Sequence, residues 1–262
     1  MQTLNNQKLS VDLIASDLST NSLAHNIKYR ESLPSTNSTA WELISDGINS
    51  GLIVTDYQSK GKGQKNNKWI SSKNNSITFT VFTNKKVQSN QLGFFPIIAG
   101  LAVKNALDSH QVKISLKWPN DLIINDKKIG GILCESKVMG KLSKFIVIGI
   151  GINANETKDD MHEFNIQNAS SLKIECGKTF QREYLIGSIL NNLELLLLNF
   201  PYNIEKIKKA WELGCEHIDS NIEYYHNSKL IKGVFKGISI DGSAIIKTQN
   251  KLRLITNSSS II

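Results

Sequence analysis

The sequence predicts an α+β domain, built on a mixed α/β sheet with flanking helices, followed by a small all-β barrel. Three observations lead to this fold class. Short runs of β-branched and apolar residues recur between Gly51 and Asn155, segments with helical periodicity lie around them, and helical periodicity stops after Gly214. Helices mixed with strands around a central hairpin favour a sheet domain over a repeat or a helical bundle.

The predicted strands are short and are bounded by Gly, Asn, Asp or Lys, which favour turns. They are "GLIVTDY", "SITFTVF", "KISLKW", "DLIIND", "KIGGILCES" and "KFIVIGIGINAN". The segment "IINDKKIGG" predicts a hairpin because Asn125 and Asp126 tolerate turn geometry.

The first predicted helix lies in "STNSTAWELISDG", which begins with Ser and Thr residues able to cap a helix and ends at Gly47. Three later segments place apolar residues at helical spacing. They are "FFPIIAGLAVKNALD", "QREYLIGSILNNLELLLLNF" and "NIEKIKKAWELG". Gly214 is positioned to end the last of these helices.

The segment after Gly214 contains several short strand-like runs and a strong turn at Asp241-Gly242. Its length of roughly fifty residues suits a small barrel. The predicted division of the chain is therefore an N-terminal extension over 1–25, a main domain over 26–213 and the barrel over 214–262.

Composition restricts the function classes. The chain has 262 residues, of which 40% are apolar and 21% charged, as in ordinary globular proteins. Three cysteines without close spacing argue against a disulfide framework and favour a reducing cytoplasm, and no segment reads as a signal peptide or a membrane span. The net charge of +8 suits nucleic acid, an acidic protein or a phosphorylated substrate, but a lysine-rich solvated surface explains it equally well.

Two polar stretches have competing interpretations. "PSTN" gathers short hydrogen-bonding side chains at a helix start, where N-capping alone would account for them. "YQSKGKGQKNNKW" offers backbone N–H donors at Gly61 and Gly63 beside Lys62 and Lys65, which suits phosphate or carboxylate. It is not a Walker loop, so a solvated surface loop is the alternative.

Two further stretches are candidates for binding a ligand. "KWPNDLIINDKKIGGIL" combines an aromatic residue, a rigid turn, an amide and a carboxylate, and its hairpin returns Lys128 towards Asp121. A carboxylate such as Asp121 can help to hold Mg²⁺ near phosphates, and Lys128 can neutralise an anion. "IGIGINAN" lacks the third glycine and the βαβ context of a dinucleotide fingerprint.

Taken together and in order, "STN", "YQ..GKG....W", "KWPND", "KK.GGIL.E" and "IGIGIN.N" resemble the biotin protein ligase family. The resemblance runs motif by motif from about Ser35 to Asn155. It continues more loosely to the C-terminus, where this family commonly has a small SH3-like barrel. The resemblance, and not composition, supplies the expected function.

The resemblance implies that biotin reacts with ATP to give biotinyl-5′-AMP, and that the biotinyl group then passes to one lysine of a biotin carboxyl carrier protein or domain. ATP, Mg²⁺ and biotin are the expected small molecules, and the carrier is the expected protein partner. Dimers through the catalytic sheet occur in the family, so the resemblance also allows a homodimer.

The resemblance also assigns roles to individual residues. The expected biotin-binding residues are Ser35, Thr36, Asn37, Gln58, Lys62, Gly63, Gln64, Lys128 and Gly131. Those expected at ATP or the adenylate are Trp69, Asn120, Asp121, Lys128 and Asn153. Lys128, Asp121 and Lys62 are the candidate catalytic residues, and Asp121 is the candidate Mg²⁺ ligand. Asp121 is equally a candidate general base or a structural carboxylate.

The glycine-rich loop departs from the family pattern Gly-Arg-Gly-Arg-Arg-Gly. Here Lys62, Gln64 and Lys65 stand where arginines are common, and Asn66 stands where a glycine is common. Lysine keeps the charge without the planar fork, and glutamine loses both. This loop is therefore expected to hold the adenylate less tightly.

Three alternative functions remain at this stage. A biotin-responsive regulator would need a DNA-binding domain, and only 34 residues precede "STN", so no specific DNA is expected. A lipoate or octanoate ligase-like enzyme would need a different, arginine-led loop. A non-catalytic binding protein is disfavoured by Gln58, Lys128 and "KWPND", and adenylate formation is the test that separates it from an enzyme.

Overall fold

The computed structural model describes residues 7–226, 229–249 and 251–256. Residues 1–6 of the predicted N-terminal extension and 257–262 of the predicted barrel lie outside the described residues. The helices are α1 (Val11–Asp17), α2 (Thr36–Ser45), α3 (Phe95–Ser109), α4 (Lys158–Phe164), α5 (Leu172–Cys176), α6 (Arg182–Leu198) and α7 (Ile204–Gly214).

The strands of the first two-thirds of the chain are β1 (Ile27–Leu33), β2 (Ser50–Gln58), β3 (Gly61–Lys62), β4 (Lys68–Trp69), β5 (Ile77–Thr83), β6 (Ser115–Lys117), β7 (Asp121–Ile124), β8 (Lys127–Met139) and β9 (Leu142–Ile152). Those of the C-terminal part are β10 (Asn221–His226), β11 (Lys229–Ile238), β12 (Ala244–Lys247) and β13 (Leu252–Ile255).

A seven-stranded mixed sheet with the order β1-β2-β5-β9-β8-β7-β6 organises the main part of the chain. β1 and β2 are parallel, and every other neighbouring pair is antiparallel. The hairpin expected at Asn125-Asp126 joins β7 to β8, and both residues adopt the positive φ angles that a tight hairpin turn requires. The mixed α/β sheet predicted from the sequence is therefore confirmed.

Helices cover both faces of this sheet. Along β2, Leu52 and Val54 face a large core that includes buried residues of α3 and α6. Ile53 points the opposite way and packs with Ala40 of α2 in a smaller core. This alternation is the two-residue period expected of a strand buried on both faces.

A four-stranded antiparallel sheet, β10-β11-β12-β13, forms the SH3-like C-terminal part. The turn predicted at Asp241-Gly242 lies between β11 and β12, and Gly242 has a φ of 83°. The indole Nε1 of Trp118 donates to the carbonyl oxygen of Gly242 at 2.9 Å. This contact ties the C-terminal sheet to the "KWPND" segment. The domain boundaries given above remain predictions.

The three cysteines are free. No helix among the described residues combines the length and the apolar character needed to cross a membrane.

A buried carboxyl group makes stability dependent on pH. Glu156 is fully buried and accepts a hydrogen bond from the Ser76 hydroxyl. Burial raises its pKa from 4.5 to about 7, against the opposing effect of that hydrogen bond. The folded protein therefore binds an extra proton between these pH values, and the stability due to this group is lost progressively as pH rises from about 4.5 to about 7.

We expect Glu156→Gln to remove this loss, on the order of 1 to 3 kcal/mol, because glutamine cannot ionise. Urea unfolding at pH 4 and pH 8 measures it: the variant should gain clearly more stability relative to wild type at the higher pH. Buried His217, whose pKa is lowered to about 4 mainly by burial, gives the opposite slope at acid pH in both proteins and cancels in the comparison. An identical pH profile for variant and wild type would contradict the assignment.

Candidate functional site

A cavity of about 250 Å³ opens where the separate sequence motifs meet. Its walls come from the start of α2, the end of β2, the β3–β4 hairpin, the "KWPND" segment and the central strands β5, β8 and β9. The structure brings to this cavity every predicted site residue except Asn153. These residues are Ser35, Thr36, Asn37, Gln58, Lys62, Gly63, Gln64, Trp69, Asn120, Asp121, Lys128 and Gly131.

One wall of the cavity is a hydrogen-bonded cluster at the start of α2. Ser35 caps this helix, as its sequence predicts, by accepting from the backbone N–H of Ser38 at 3.5 Å. The backbone N–H of Thr36 donates to Oε1 of Gln58 at 2.7 Å, and the Thr36 hydroxyl lies 3.0 Å from the same oxygen. Oε1 of Gln58 is thereby committed to the protein, which leaves its amide Nε2 as the donor for a ligand.

Asn37 extends this cluster towards the sheet. Its Nδ2 donates to Oε2 of Glu135 at 2.7 Å, and its Oδ1 lies 2.6 Å from the Thr80 hydroxyl. Gly149 allows the approach, since a Cβ there would come within 2.2 Å of Asn37 Oδ1. A glycine on the central strand is therefore needed for the helix start to reach the sheet.

The β3–β4 hairpin covers a second side of the cavity. It turns at Lys65, which has a left-handed φ of 54°. The expectation that Gly63 supplies a backbone donor to an anion is wrong for this structure, because its N–H donates to the Asn67 carbonyl at 2.7 Å inside the hairpin. The hairpin therefore faces a ligand chiefly with side chains.

Trp69 closes the base of this hairpin and packs on Gly151. A Cβ on Gly151 would lie 2.5 Å from the indole ring, so only glycine leaves room for it. Trp69 Nε1 and the Thr78 hydroxyl are buried, line the cavity and have no hydrogen-bond partner among the described residues. Buried polar groups normally have partners, so this pair indicates where a polar ligand atom would be held.

An ion pair forms another part of the cavity wall. Nζ of Lys128 is 2.6 Å from Oδ1 of Asp121, and both side chains are partly exposed. Asn120 is fixed beside them by donating from Nδ2 to the Ile132 carbonyl at 2.8 Å. The hairpin geometry that the sequence predicts is what places Lys128 next to Asp121.

The charge of the cavity favours anions. Among the described residues that line it, Asp121 is the only carboxylate, whereas the lining lysines are Lys62, Lys65, Lys68, Lys117 and Lys128. Cations that converge on one concave site attract and concentrate an anionic ligand. Among the described residues, no group of three His, Cys, Asp or Glu side chains could hold a metal ion by itself.

Asn153 does not reach the cavity. Its side chain is buried and donates to the Ser170 carbonyl at 2.9 Å, and its backbone N–H bonds the Ile129 carbonyl. In this structure it fixes the segment that follows β9.

Sequence reasoning missed two threonines of the site, Thr78 and Thr80. It also gave no role to Lys117 and Glu135, although both stand in the quoted motifs "KWPND" and "KK.GGIL.E". A signal for the threonines exists: "SITFTVF" carries threonines at every second position, and their neighbours across the sheet are Gly151 and Gly149. Small and polar residues alternating on one face of two buried strands mark a face that leaves room for a ligand.

Cys134 lies beside Glu135 in a groove of about 850 Å³ that adjoins the cavity on the outer side of the hairpin. Burial raises the pKa of its thiol. This cysteine is therefore not suited to act as a nucleophile.

Comparisons with known proteins agree on one family. Residues 29–153 match the Biotin/lipoate A/B protein ligase family. The chain is 28% identical over 251 residues to the bifunctional ligase/repressor BirA of Bacillus spizizenii, covering 95% of this chain and 77% of that protein. It is 26% identical to the biotin–[acetyl-CoA-carboxylase] ligase of Paracoccus denitrificans, covering 81% of this chain and 90% of that protein.

The fold is also similar to a solved structure with bound ligands. The biotin protein ligase from Aquifex aeolicus in complex with biotin and ATP superposes with a TM-score of 0.76 at 25% identity. The match covers 91% of this chain and 99% of that one.

Proposed function

Because the chain belongs to the biotin protein ligase family, we propose that it activates biotin with ATP to biotinyl-5′-AMP and transfers the biotinyl group to a lysine of a biotin carboxyl carrier protein. One observation supports this most strongly. A single cavity joins the polar cluster at the start of α2 to the Lys128–Asp121 pair and its surrounding lysines. The first suits a ureido ring and the second suits phosphates.

In the first step a carboxylate oxygen of biotin attacks the α-phosphorus of ATP. A bond forms from that oxygen to phosphorus, and the bond from phosphorus to the bridging oxygen breaks to release pyrophosphate. The protein's main tasks are to orient the two reactants and to offset the charge on crowded oxygens. Lys128, Lys62 and Lys117 line the cavity with positive charge for that role.

Mg²⁺ suits this donor set when the nucleotide is present. Mg²⁺ at nucleotide sites is typically bound by one or two carboxylates together with substrate phosphates. Asp121 is the carboxylate on the wall, so it would hold the ion, which would in turn neutralise phosphate charge.

In the second step the carrier lysine attacks the biotinyl carbonyl and AMP leaves. The amine must first lose a proton, and with a reference pKa of about 10.4 this costs roughly 4 to 5 kcal/mol at pH 7. Asp121 has two candidate roles, as metal ligand in the first step and as proton acceptor in the second. Its ion pair with Lys128 keeps it at the cavity wall for either.

The direct test is ATP-dependent transfer of labelled biotin to a carrier domain, with pyrophosphate release measured alongside. We expect both signals with biotin and neither with lipoate. Activity with lipoate alone would place the chain among lipoate ligases. If the protein gives no transfer and no pyrophosphate with biotin or with lipoate, it is a binding protein without ligase activity.

The β3–β4 hairpin is expected to affect how long the protein retains biotinyl-5′-AMP. Gln64 lines the cavity and offers an uncharged amide to the adenylate. We expect Gln64→Arg to slow release of biotinyl-5′-AMP roughly tenfold or more, since a hydrogen bond to a charged group contributes about 1.5–3 kcal/mol. Stray biotinylation of bystander lysines should fall in parallel.

Stopped-flow or filter-binding release of labelled adenylate measures this rate. Gln64→Lys is the matched control: it adds charge without the bidentate fork and should give a smaller effect. An unchanged release rate for Gln64→Arg would exclude the proposed leak.

A further inference from the structure

We propose that Glu135 is a positioning residue for biotin: it fixes the side-chain amide of Asn37 so that the cavity wall accepts hydrogen bonds from the two ureido N–H groups. The proposal rests on the function proposed above. Glu135 lies in the adjoining groove and not on the wall of the cavity itself, so it acts through Asn37.

Three contacts determine which way the Asn37 amide points. Its Nδ2 donates to Oε2 of Glu135 at 2.7 Å and lies 3.3 Å from the Leu133 carbonyl. The same carboxylate oxygen accepts from Nε1 of Trp41 at 3.3 Å, which holds Glu135 in place. A carboxylate and a carbonyl only accept, so a reversed amide would place oxygen against oxygen.

The orientation of Asn37 leaves the cavity wall short of protons. Three oxygen–oxygen contacts lie in a row: Asn37 Oδ1 to the Thr80 hydroxyl at 2.6 Å, Thr80 to the Thr36 hydroxyl at 2.7 Å, and Thr36 to Gln58 Oε1 at 3.0 Å. The two threonine hydroxyls supply one proton each, and neither amide oxygen supplies any. Three contacts therefore share two protons, so one oxygen of the row lacks a donor and can accept a hydrogen bond from a ligand N–H.

Reversal of the amide would remove this shortage. Nδ2 of Asn37 would donate to Thr80, Thr80 to Thr36, and Thr36 to Gln58, so every contact would have its own proton. The wall would then be saturated without a ligand and would present fewer acceptors to a ureido ring. Glu135 thus sets the orientation of the Asn37 amide, and through it the preference of this wall for a ligand that donates hydrogen bonds. It does so without touching a ligand atom.

The experiment compares two substitutions of similar length, Glu135→Met and Glu135→Gln. Methionine has no strong acceptor and frees the amide, so we expect the biotin Kd by calorimetry, and the biotin KM, to rise roughly tenfold or more. kcat and the KM for ATP should stay within about twofold, because the phosphate end of the site is untouched. Glutamine keeps an acceptor oxygen that Trp41 Nε1 holds in place, so biotin binding should remain within about threefold of wild type.

A double variant that exchanges the amide and the carboxylate between residues 37 and 135 tests the proposal independently, in case Glu135→Met does not fold. Asn37→Asp alone opposes two carboxylates and should weaken biotin binding by roughly a hundredfold. Adding Glu135→Gln removes the opposed carboxylate and reverses the bond between residues 37 and 135, while residue 37 keeps an acceptor facing Thr80, so the double variant should regain at least roughly tenfold.

The inference is overturned if Glu135→Met binds biotin within twofold of wild type, if it damages kcat and the KM for ATP as much as biotin binding, or if the double variant regains nothing over Asn37→Asp. These outcomes require an active wild-type enzyme. Loss of the proposed function itself would instead appear as wild-type protein that neither binds biotin nor releases pyrophosphate.

Discussion

Replacing Lys128 by alanine is expected to lower kcat/KM for biotin-dependent pyrophosphate release by roughly 10² to 10³-fold. Nζ of Lys128 lies 2.6 Å from Asp121, and both residues line the cavity together with four other lysines. Removing one preorganised charge from a developing anion typically has an effect of this size. Calorimetric binding of biotin without ATP should change less than turnover.

Lys127 provides a matched control on the adjacent position. It points away from the cavity and pairs with Glu175 at 3.0 Å, with half of its side chain exposed. Lys127→Ala should therefore retain wild-type turnover, which separates loss of a local charge from loss of overall charge. Biotin transfer by Lys128→Ala at the wild-type rate would remove Lys128 from the proposed catalytic group.

Local features of this fold follow from the sequence because their causes are local. The β7–β8 hairpin depends on Asn125 and Asp126, two residue types that tolerate positive φ, and the chain turns there. The start of α2 depends on Ser35, whose hydroxyl caps the helix. Motif order then sufficed to predict that these segments share one site.

Contacts across long stretches of chain could not be predicted in the same way. Asn37 and Glu135 are 98 positions apart, and Thr80 lies between them on another strand. Their meeting depends on the strand order β5-β9-β8 and on α2 packing over it, which no single segment encodes. The orientation of the Asn37 amide is therefore a property of the fold.

Asn153, which the resemblance assigned to the nucleotide, shows the limit of a carry-over by motif. It shares the parity of Gly149 and Gly151, both of which line the cavity, so simple alternation places it there as well. β9 ends at Ile152, however, and the backbone N–H of Asn153 bonds the Ile129 carbonyl. Asn153 is thus the first residue after the strand, and the alternation of side chains along β9 does not extend to it.

A buried ion pair that lies away from the cavity could not be predicted from the sequence either. Breaking this pair is expected to have a large effect on the free energy of unfolding. Asp56 and Arg182 are 2.8 Å apart, and neither side chain is more than 4% exposed. The Asp56 carboxylate also accepts from the Tyr29 hydroxyl at 2.6 Å and the Leu9 backbone. The Arg182 guanidinium also donates to the backbone carbonyls of Ser76 and Gln7. This network joins β2 to the start of α6 and to the chain before α1.

We expect Arg182→Met to lower the free energy of unfolding by about 3–5 kcal/mol, because it leaves the Asp56 carboxylate buried without its counter-ion. Urea unfolding at pH 7 measures the loss. Lys8→Met is the matched control, since it breaks a solvent-exposed ion pair with Glu31, and it should give no measurable change. A loss in Arg182→Met no larger than in the control would show that the buried pair contributes nothing.

The double variant Asp56→Asn/Arg182→Met separates charge from packing. If the loss in Arg182→Met arises from an uncompensated buried charge, removal of that charge should recover part of it, so the double variant should be more stable than Arg182→Met alone. The amide oxygen that Asp56→Asn introduces would still accept from the Tyr29 hydroxyl. If the loss arises instead from the carbonyls of Ser76 and Gln7 that Arg182 satisfies, the second substitution should recover nothing.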